Sequence, residues 1–85
     1  MNNESVQTAL AASAVGSYPH ARRVGNLLFL SGIGPRSAAD NAIAGNRYHA
    51  DGTLAAYDIV AQCHAVFANV KAVLQASGAQ LSDLV

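Results

Sequence analysis

The chain has few of the residues that reinforce a small protein. Its 85 residues include no tryptophan, one cysteine and two prolines. The single cysteine, Cys63, excludes an internal disulfide. Domains of this size bury a modest fraction of their surface and often rely on disulfides, metals or partner subunits. We therefore expect a single domain, residues 1–85, that gains part of its burial by self-association.

Charged side chains are also scarce, and they are balanced. Five basic and five acidic residues give a formal net charge of zero, whereas nucleic-acid binding requires clustered lysine and arginine. No uninterrupted apolar run approaches the length of a membrane span, so neither nucleic acid nor a membrane is an expected partner. The start of the chain lacks the basic region of a signal peptide, since its first basic side chain is Arg22. This predicts a cytoplasmic location.

A β-hairpin is predicted over Arg22–Leu30. Gly25-Asn26 favours a two-residue turn, and an apolar strand, Leu27–Leu30, follows at once. Strand side chains alternate, so Leu27 and Phe29 share one face and Leu28 and Leu30 the other. Because both faces are apolar, we expect one to pack against a helix and the other against a second sheet or another subunit. Residues 1–13 are predicted to form a loose arm or a first strand.

An amphipathic helix is predicted later in the chain. Apolar residues recur at three- and four-residue steps, which is the spacing of one helix face. This face comprises Ile59, Cys63, Val66, Phe67, Val70, Val73 and Leu74. Asp58 is a candidate N-cap, and Gly78 is a candidate left-handed residue at the C-terminal end. We expect Cys63 to be a buried structural cysteine and Asn69 to lie off the apolar face.

The segments on either side of this helix give weaker signals. Residues 36–57 are rich in Ala, Asn, Gly and Asp, and they predict a long loop with a short hairpin near Asp51-Gly52. Long loops in small domains are often functional. Leu81–Val85 is predicted to begin another strand. Because a domain seldom ends at such a point, we expect the chain to be an N-terminal fragment.

An ordered series of motifs is similar to one known family. It runs Ala14-Val15-Gly16-Ser17-Tyr18-Pro19-His20-Ala21, then Val24-Gly25-Asn26-Leu27, then Phe29-Leu30-Ser31-Gly32, and continues with Asn69–Leu74, Ser77-Gly78-Ala79 and Leu81–Val85. The series resembles the Rid/YjgF family of imine and enamine deaminases. Gly32-Ile33-Gly34-Pro35-Arg36, followed by a long insertion, is most similar to the 2-aminomuconate deaminase branch.

The resemblance implies a chorismate-mutase-like α+β fold, a sheet backed by helices, whose C-terminal part this chain would lack. It also implies a homotrimer with active sites between subunits, and hydrolytic deamination without a metal or organic cofactor. Water would add to the C=N carbon of an imine, and ammonia would leave. The family's carboxylate-binding arginine and water-placing acid would follow Val85. The catalytic positions are therefore unknown, and the 85 residues alone are expected to be inactive.

Four residues are candidates for substrate binding. The resemblance implies that Tyr18 lines the cleft and donates a hydrogen bond, and that Ser31 binds substrate through its hydroxyl. It implies that Gly32 offers its N–H to a carboxylate. Arg36 is added because a muconate-like substrate has a second carboxylate. The structural alternatives are ring packing for Tyr18, local backbone bonding for Ser31, a loop role for Gly32 and a solvated charge for Arg36.

Two other functions remain open from the sequence. A generic deaminase of 2-aminoacrylate-type intermediates would share these motifs but differ in substrate. A non-catalytic trimeric binding or chaperone-like module would share the fold alone. Metal and dinucleotide sites are not indicated, because His20, His49 and His64 lack zinc spacing and the glycines match neither nucleotide-binding pattern.

Overall fold

Two antiparallel sheets and one long helix make up the part of the chain that the computed structural model describes, residues 3–85. The elements are β1 (Asn3–Val6), β2 (Ala21–Val24), β3 (Leu27–Leu30), β4 (Arg47–Tyr48), β5 (Leu54–Ala56), α1 (Ile59–Ala76) and a 3-10 turn (Leu81–Asp83). The larger sheet has the order β1-β2-β3, and β4 pairs with β5 in the smaller one.

The predicted hairpin forms β2 and β3. Val24 pairs with Leu27 across the turn, and Gly25 has a φ of 60°, a backbone conformation that glycine adopts at little cost. β1 adds to the other side of β2, which confirms the first-strand prediction over Asn3–Val6. Residues 7–13 of that prediction form turns and irregular structure, and residues 1 and 2 lie outside the described residues.

The two faces of β3 have different surroundings. Leu28 and Leu30 are half-buried and pack against a core cluster of Ala11, Ala21 and Val73. The opposite face is open in this chain, with Leu27 60% and Phe29 57% exposed. One face thus packs against the helix, as predicted. The other leaves apolar surface uncovered within one chain.

The long segment between β3 and α1 is more ordered than a loop. The short hairpin predicted near Asp51-Gly52 is present, with the His49 N–H donating to the Thr53 carbonyl oxygen at 2.8 Å. At its turn, the Thr53 hydroxyl and N–H both donate to the Asp51 carboxylate, at 2.6 and 3.0 Å. These bonds lower the pKa of Asp51 below its ordinary value. A bridge between Arg36 and Ile43 orders the start of the segment.

Both ends of α1 have the caps that the sequence predicts. The Asp58 side chain accepts from Val60 N and Ala61 N, which satisfies two of the free N–H groups of the first turn. At the other end Gly78 has a φ of 79°. Its N–H donates to the Gln75 carbonyl, and the Ala79 N–H donates to the Leu74 carbonyl. This pair of bonds is a Schellman motif.

The buried face of α1 differs from the predicted one. Its buried residues are Asn69, Val73 and Leu74, all in the C-terminal half of the helix. Cys63 is exposed, so the prediction of a buried cysteine is wrong for this chain. The prediction that Asn69 lies off the packed face is also wrong. The reason is that the core cluster lies against the C-terminal half of α1 only, so the apolar positions of the first two turns are left uncovered.

Two further observations bear on the expectations, and the second corrects one of them. By length and composition α1 is apolar enough to cross a membrane, with a mean hydropathy of 1.2 over 18 residues, although a core helix passes the same test. Leu81–Asp83 forms a 3-10 turn rather than the start of a strand. Its conformation is fixed locally, because the Asp83 carboxylate accepts from the Gln80 N–H at 2.9 Å. The backbone becomes extended at Leu84.

Gly45 provides a test of how the smaller sheet joins the helix. Its φ is 71°, and an added Cβ would lie 2.9 Å from the Asp58 carbonyl oxygen. We expect Gly45→Ala to lower the free energy of unfolding by at least 1–2 kcal/mol, roughly the cost of a left-handed alanine alone. Gly34→Ala is the matched control, because its φ is ordinary and its Cβ would meet open space. Equal unfolding midpoints for the two variants in chemical denaturation would contradict this account.

Candidate functional site

The four candidate residues lie around one cavity. Tyr18, Ser31, Gly32 and Arg36 all line a space of about 280 Å³. The segment 11–15 forms one part of its wall, the segment that follows β3 forms another, and Asn69 and Val73 of α1 complete the lining. The four candidate residues span 18 positions of the sequence, from Tyr18 to Arg36, and the fold brings them to one place.

Tyr18 lies over Gly16 at the edge of the cavity. A Cβ at Gly16 would lie 2.8 Å from a ring carbon of Tyr18, so a larger residue there would require the ring to shift. The tyrosine is 40% exposed. The ring is therefore packed against Gly16 and lines the cavity, and its hydrogen bond to a substrate stays a prediction.

Ser31 and Gly32 occupy the end of β3. The Ser31 hydroxyl donates to the Pro19 carbonyl oxygen at 2.6 Å, and the Ser31 N–H donates to the His20 carbonyl at 3.0 Å. The hydroxyl proton of Ser31 is therefore used in a bond to the backbone, which is the alternative of local backbone bonding. The hydroxyl oxygen keeps lone pairs that can accept a hydrogen bond. A Cβ at Gly32 would meet nothing within 4 Å, so the space beside its backbone is open.

Arg36 brings a permanent positive charge to the cavity. The residue is half-buried, and one guanidinium nitrogen donates to the Asn41 carbonyl at 3.2 Å. Arginine carries five N–H groups, and the others bond no residue in the part of the chain that the structure describes, so they can bind an anion. Among the described residues that line the cavity, there is no carboxylate to neutralise this charge.

Asn69 links the segments that line the cavity, a role that the sequence did not predict. Its Oδ1 accepts from the Ala12 N–H at 3.2 Å, while its Nδ2 donates to the carbonyls of Gly34 and Arg36 at 3.0 and 2.8 Å. Asparagine is a poor helix-interior residue. Its position next to an apolar face was the available signal that its amide binds something outside the helix.

His20 is the second residue that the sequence analysis missed. Its ring lines the cavity and bonds to the backbone of Thr8 and Ala12. Zinc spacing was the only role considered for it. Within residues 3–85, the structure shows no group of three His, Cys, Asp or Glu side chains that could hold a metal ion.

Comparison with known proteins assigns the chain to a family. The profile described as Endoribonuclease L-PSP matches residues 8–85. RidA from the Antarctic bacterium Psychrobacter superposes with a TM-score of 0.75 at 32% identity, covering 96% of this chain and 57% of that one. The chain belongs to the Rid/YjgF family. This confirms the resemblance in the motifs and the α+β fold that it implied.

Other Rid/YjgF proteins agree with the assignment. A 2-iminobutanoate/2-iminopropanoate deaminase of Dermatophagoides farinae is 35% identical over 81 residues, which are 94% of this chain and 54% of that protein. The YjgF gene product of E. coli has a TM-score of 0.75 at 27% identity, over 96% of this chain and 55% of the other. The chain therefore spans about half the length of the relatives it matches.

Asn69 provides the test of how the cavity is built. Asn69→Ala leaves three backbone groups without their partner, and we expect a loss of about 2–4 kcal/mol in the free energy of unfolding. Asn69→Asp should be no better, because its carboxylate would face the carbonyls of Gly34 and Arg36. Gln75→Ala, at an exposed position on the same helix, is the control. Similar unfolding midpoints for Asn69→Ala and Gln75→Ala would contradict the assigned role.

Proposed function

We propose that this chain supplies one wall of the active site of a hydrolytic deaminase acting on carboxylate-bearing enamines and imines, with 2-aminomuconate as the preferred substrate. The observation that carries the proposal is the single cavity that gathers Tyr18, Ser31, Gly32 and Arg36. In the reaction, water adds to the C=N carbon of the imine. The C–N bond then breaks, ammonia leaves and a 2-oxo acid remains, which can tautomerise to the 2-hydroxy form.

The cavity offers a group for each end of such a substrate. The open backbone at Gly32 provides an N–H for the carboxylate next to the imine. Tyr18 provides a phenol that donates to the substrate or to the attacking water. Ser31 serves as an acceptor, because its own proton is bound by Pro19. The carboxylate-binding arginine and the water-placing acid of the family are proposed to lie beyond Val85.

The remaining parts of the proposal concern assembly. We propose a homotrimer whose sites lie between subunits, with no cofactor, in the cytoplasm. The uncovered apolar side chains of β3, Leu27 and Phe29, support self-association, because exposed apolar surface of this kind is commonly covered by a partner. The zero net charge supports a small-molecule substrate rather than nucleic acid.

The preference for a dicarboxylate depends on Arg36. A planar guanidinium with no carboxylate among the described residues that line its cavity is suited to a second substrate carboxylate. A generic 2-iminopropanoate or 2-aminoacrylate deaminase is the second candidate, and the similarity to the 2-iminobutanoate/2-iminopropanoate deaminase of Dermatophagoides farinae favours it. The two candidates differ in whether the charge of Arg36 contributes to substrate binding.

The substrate assay uses the whole protein. We expect ammonia to be released from freshly generated 2-aminomuconate faster than by spontaneous decay, with a kcat/KM at least tenfold above that for 2-aminoacrylate, as roughly one charge-assisted hydrogen bond provides. The reverse ratio would favour the generic deaminase. No acceleration with either substrate would favour a binding module without catalysis.

The role of Arg36 is tested by neutralisation. Arg36→Gln should raise KM for 2-aminomuconate on the order of 10–100-fold, because one charge-assisted contact is lost. KM for the monocarboxylate 2-aminoacrylate should change little. Arg47→Gln is the matched control, since Arg47 is exposed on β4 and does not line the cavity. An equal rise for both substrates would show that Arg36 acts on the fold rather than on the second carboxylate.

A further inference from the structure

The segment 36–43 is a closed turn at the edge of the cavity. Its first and last residues, Arg36 and Ile43, form an antiparallel bridge, and the Ser37 N–H donates to the Ala42 carbonyl oxygen at 2.8 Å. Of the residues in this turn, Arg36 and Ile43 line the candidate site, whereas those between them do not. The turn therefore presents one cation and one apolar side chain to the cavity from paired positions.

The backbone at the tip of this turn has a rare conformation. Asn41 has a φ of 62°, and within residues 3–85 it is the only residue other than glycine with a positive φ. Its N–H donates to the Ser37 carbonyl oxygen at 2.8 Å. Asparagine tolerates this left-handed conformation better than most residues do, whereas a β-branched side chain there is an outlier. The residue type at this position is therefore matched to the backbone that the turn requires.

The conformation of Asn41 brings the tip of the turn back to the arginine at its base. The Nη1 group of Arg36 donates to the Asn41 carbonyl oxygen at 3.2 Å. Rotation about φ moves this carbonyl relative to the rest of the turn, so an ordinary negative φ would place the oxygen elsewhere. Asn41 is exposed, and the atom that meets Arg36 belongs to its backbone. The contact therefore depends on the backbone conformation of Asn41 rather than on its side chain.

Arg36 is thereby held at both of its ends. Asn69 donates to its backbone carbonyl at 2.8 Å, and Asn41 accepts from its guanidinium. A carboxylate partner would neutralise the guanidinium, whereas a carbonyl oxygen orients it and leaves its charge intact. A flexible side chain that is ordered before the ligand arrives loses less conformational entropy on binding. Arg36 therefore offers a full charge in a restricted orientation.

We propose that Asn41 is a positioning residue that determines specificity for dicarboxylate substrates. Its left-handed backbone directs a carbonyl oxygen at Arg36, and that bond keeps the guanidinium where a second substrate carboxylate can meet it. Ile43 provides apolar surface next to the cation, which suits the carbon chain between two carboxylates. This inference rests on the proposed function, and it assigns the preference for a dicarboxylate to the turn as a whole.

The kinetic test replaces Asn41 in the whole protein. Asn41→Val should raise KM for 2-aminomuconate about 3–10-fold, because the loss of one hydrogen bond leaves the guanidinium free to move. KM for 2-aminoacrylate, and kcat for both substrates, should change little. Asn41→Gly should keep the wild-type KM, because glycine adopts the left-handed backbone freely. Ala39→Val is the matched control, since Ala39 is exposed in the same turn and its φ is not positive.

A double substitution separates positioning from a general effect on the fold. In an Arg36→Gln background, Asn41→Val should raise KM for 2-aminomuconate no further, because the group that it positions is already absent. A further rise of the same size would show that Asn41 acts independently of Arg36, and it would overturn the proposal. So would an equal rise in KM for both substrates in Asn41→Val alone.

An equilibrium measurement tests the same role without catalysis. Muconate and sorbate are dienoates of the same chain length, with two carboxylates and one, and calorimetry gives their affinities. The wild type and Asn41→Gly should bind muconate on the order of tenfold more tightly than sorbate, whereas Asn41→Val should bind the two within about threefold. If no form deaminates but this pattern holds, the proposed function fails and the positioning role stands. A wild type without a preference for muconate, or a preference that Asn41→Val retains, overturns the positioning role whatever the activity.

Discussion

The buried amide of Asn69 is the interaction on which the arrangement of the described residues depends. Only 7% of this residue is exposed, and its three hydrogen bonds reach the backbone of Ala12, Gly34 and Arg36. Those groups lie outside the named strands and the helix, and the Asn69 side chain supplies their hydrogen-bond partner. An amide is suited to the position because it accepts and donates at once. The two segments that line the cavity, at Ala12 and at Gly34–Arg36, are thereby both hydrogen-bonded to α1.

The hydrogen bonds of Asn69 are especially important because few apolar side chains are buried. Within residues 3–85 the buried hydrophobic residues are Ala11, Ala21, Val73 and Leu74, and two of these are alanines with little area to contribute. Arg23 forms a second polar link between the sheet and the helix. Its Nε lies 3.3 Å from Glu4 Oε1, and its guanidinium donates to the Ser77 carbonyl oxygen at 2.6 Å. The sheet and the helix are therefore joined as much by hydrogen bonds to backbone groups as by packing. Such joints fix geometry more sharply than the contact of small apolar side chains does.

The sequence predicted those features whose causes are local. The turn at Gly25, the Asp58 cap and the end of α1 at Gly78 each depend on residues within a few positions of one another. The roles of Asn69 and His20 depend on partners elsewhere in the chain, and Asn69 meets Ala12 across 57 positions. Periodicity could rank the helix face by hydropathy, but it could not show that the core reaches only its C-terminal half. For that reason the sequence predicted that Cys63 is buried and that Asn69 lies off the packed face. The four site residues were found through the resemblance, whereas the groups that position them were not.

The bonding of Ser31 shows how this cavity would recognise an anion. Its hydroxyl proton is held by Pro19, and its N–H is held by His20, so neither is free to bind a substrate oxygen. The donors left at this wall are the Gly32 N–H, the Tyr18 hydroxyl and the guanidinium of Arg36. Gly32 directly follows Ser31, whose N–H donates to the His20 carbonyl, and the Arg36 carbonyl accepts from Asn69. The backbone that carries these two donors is therefore held in place. The serine therefore gives no donor to an anion: its two donors fix the strand end, and only the lone pairs of its hydroxyl remain to accept from a substrate. Donors set in advance need little reorganisation when a charged substrate arrives, which is the condition under which hydrogen bonds stabilise developing charge most effectively.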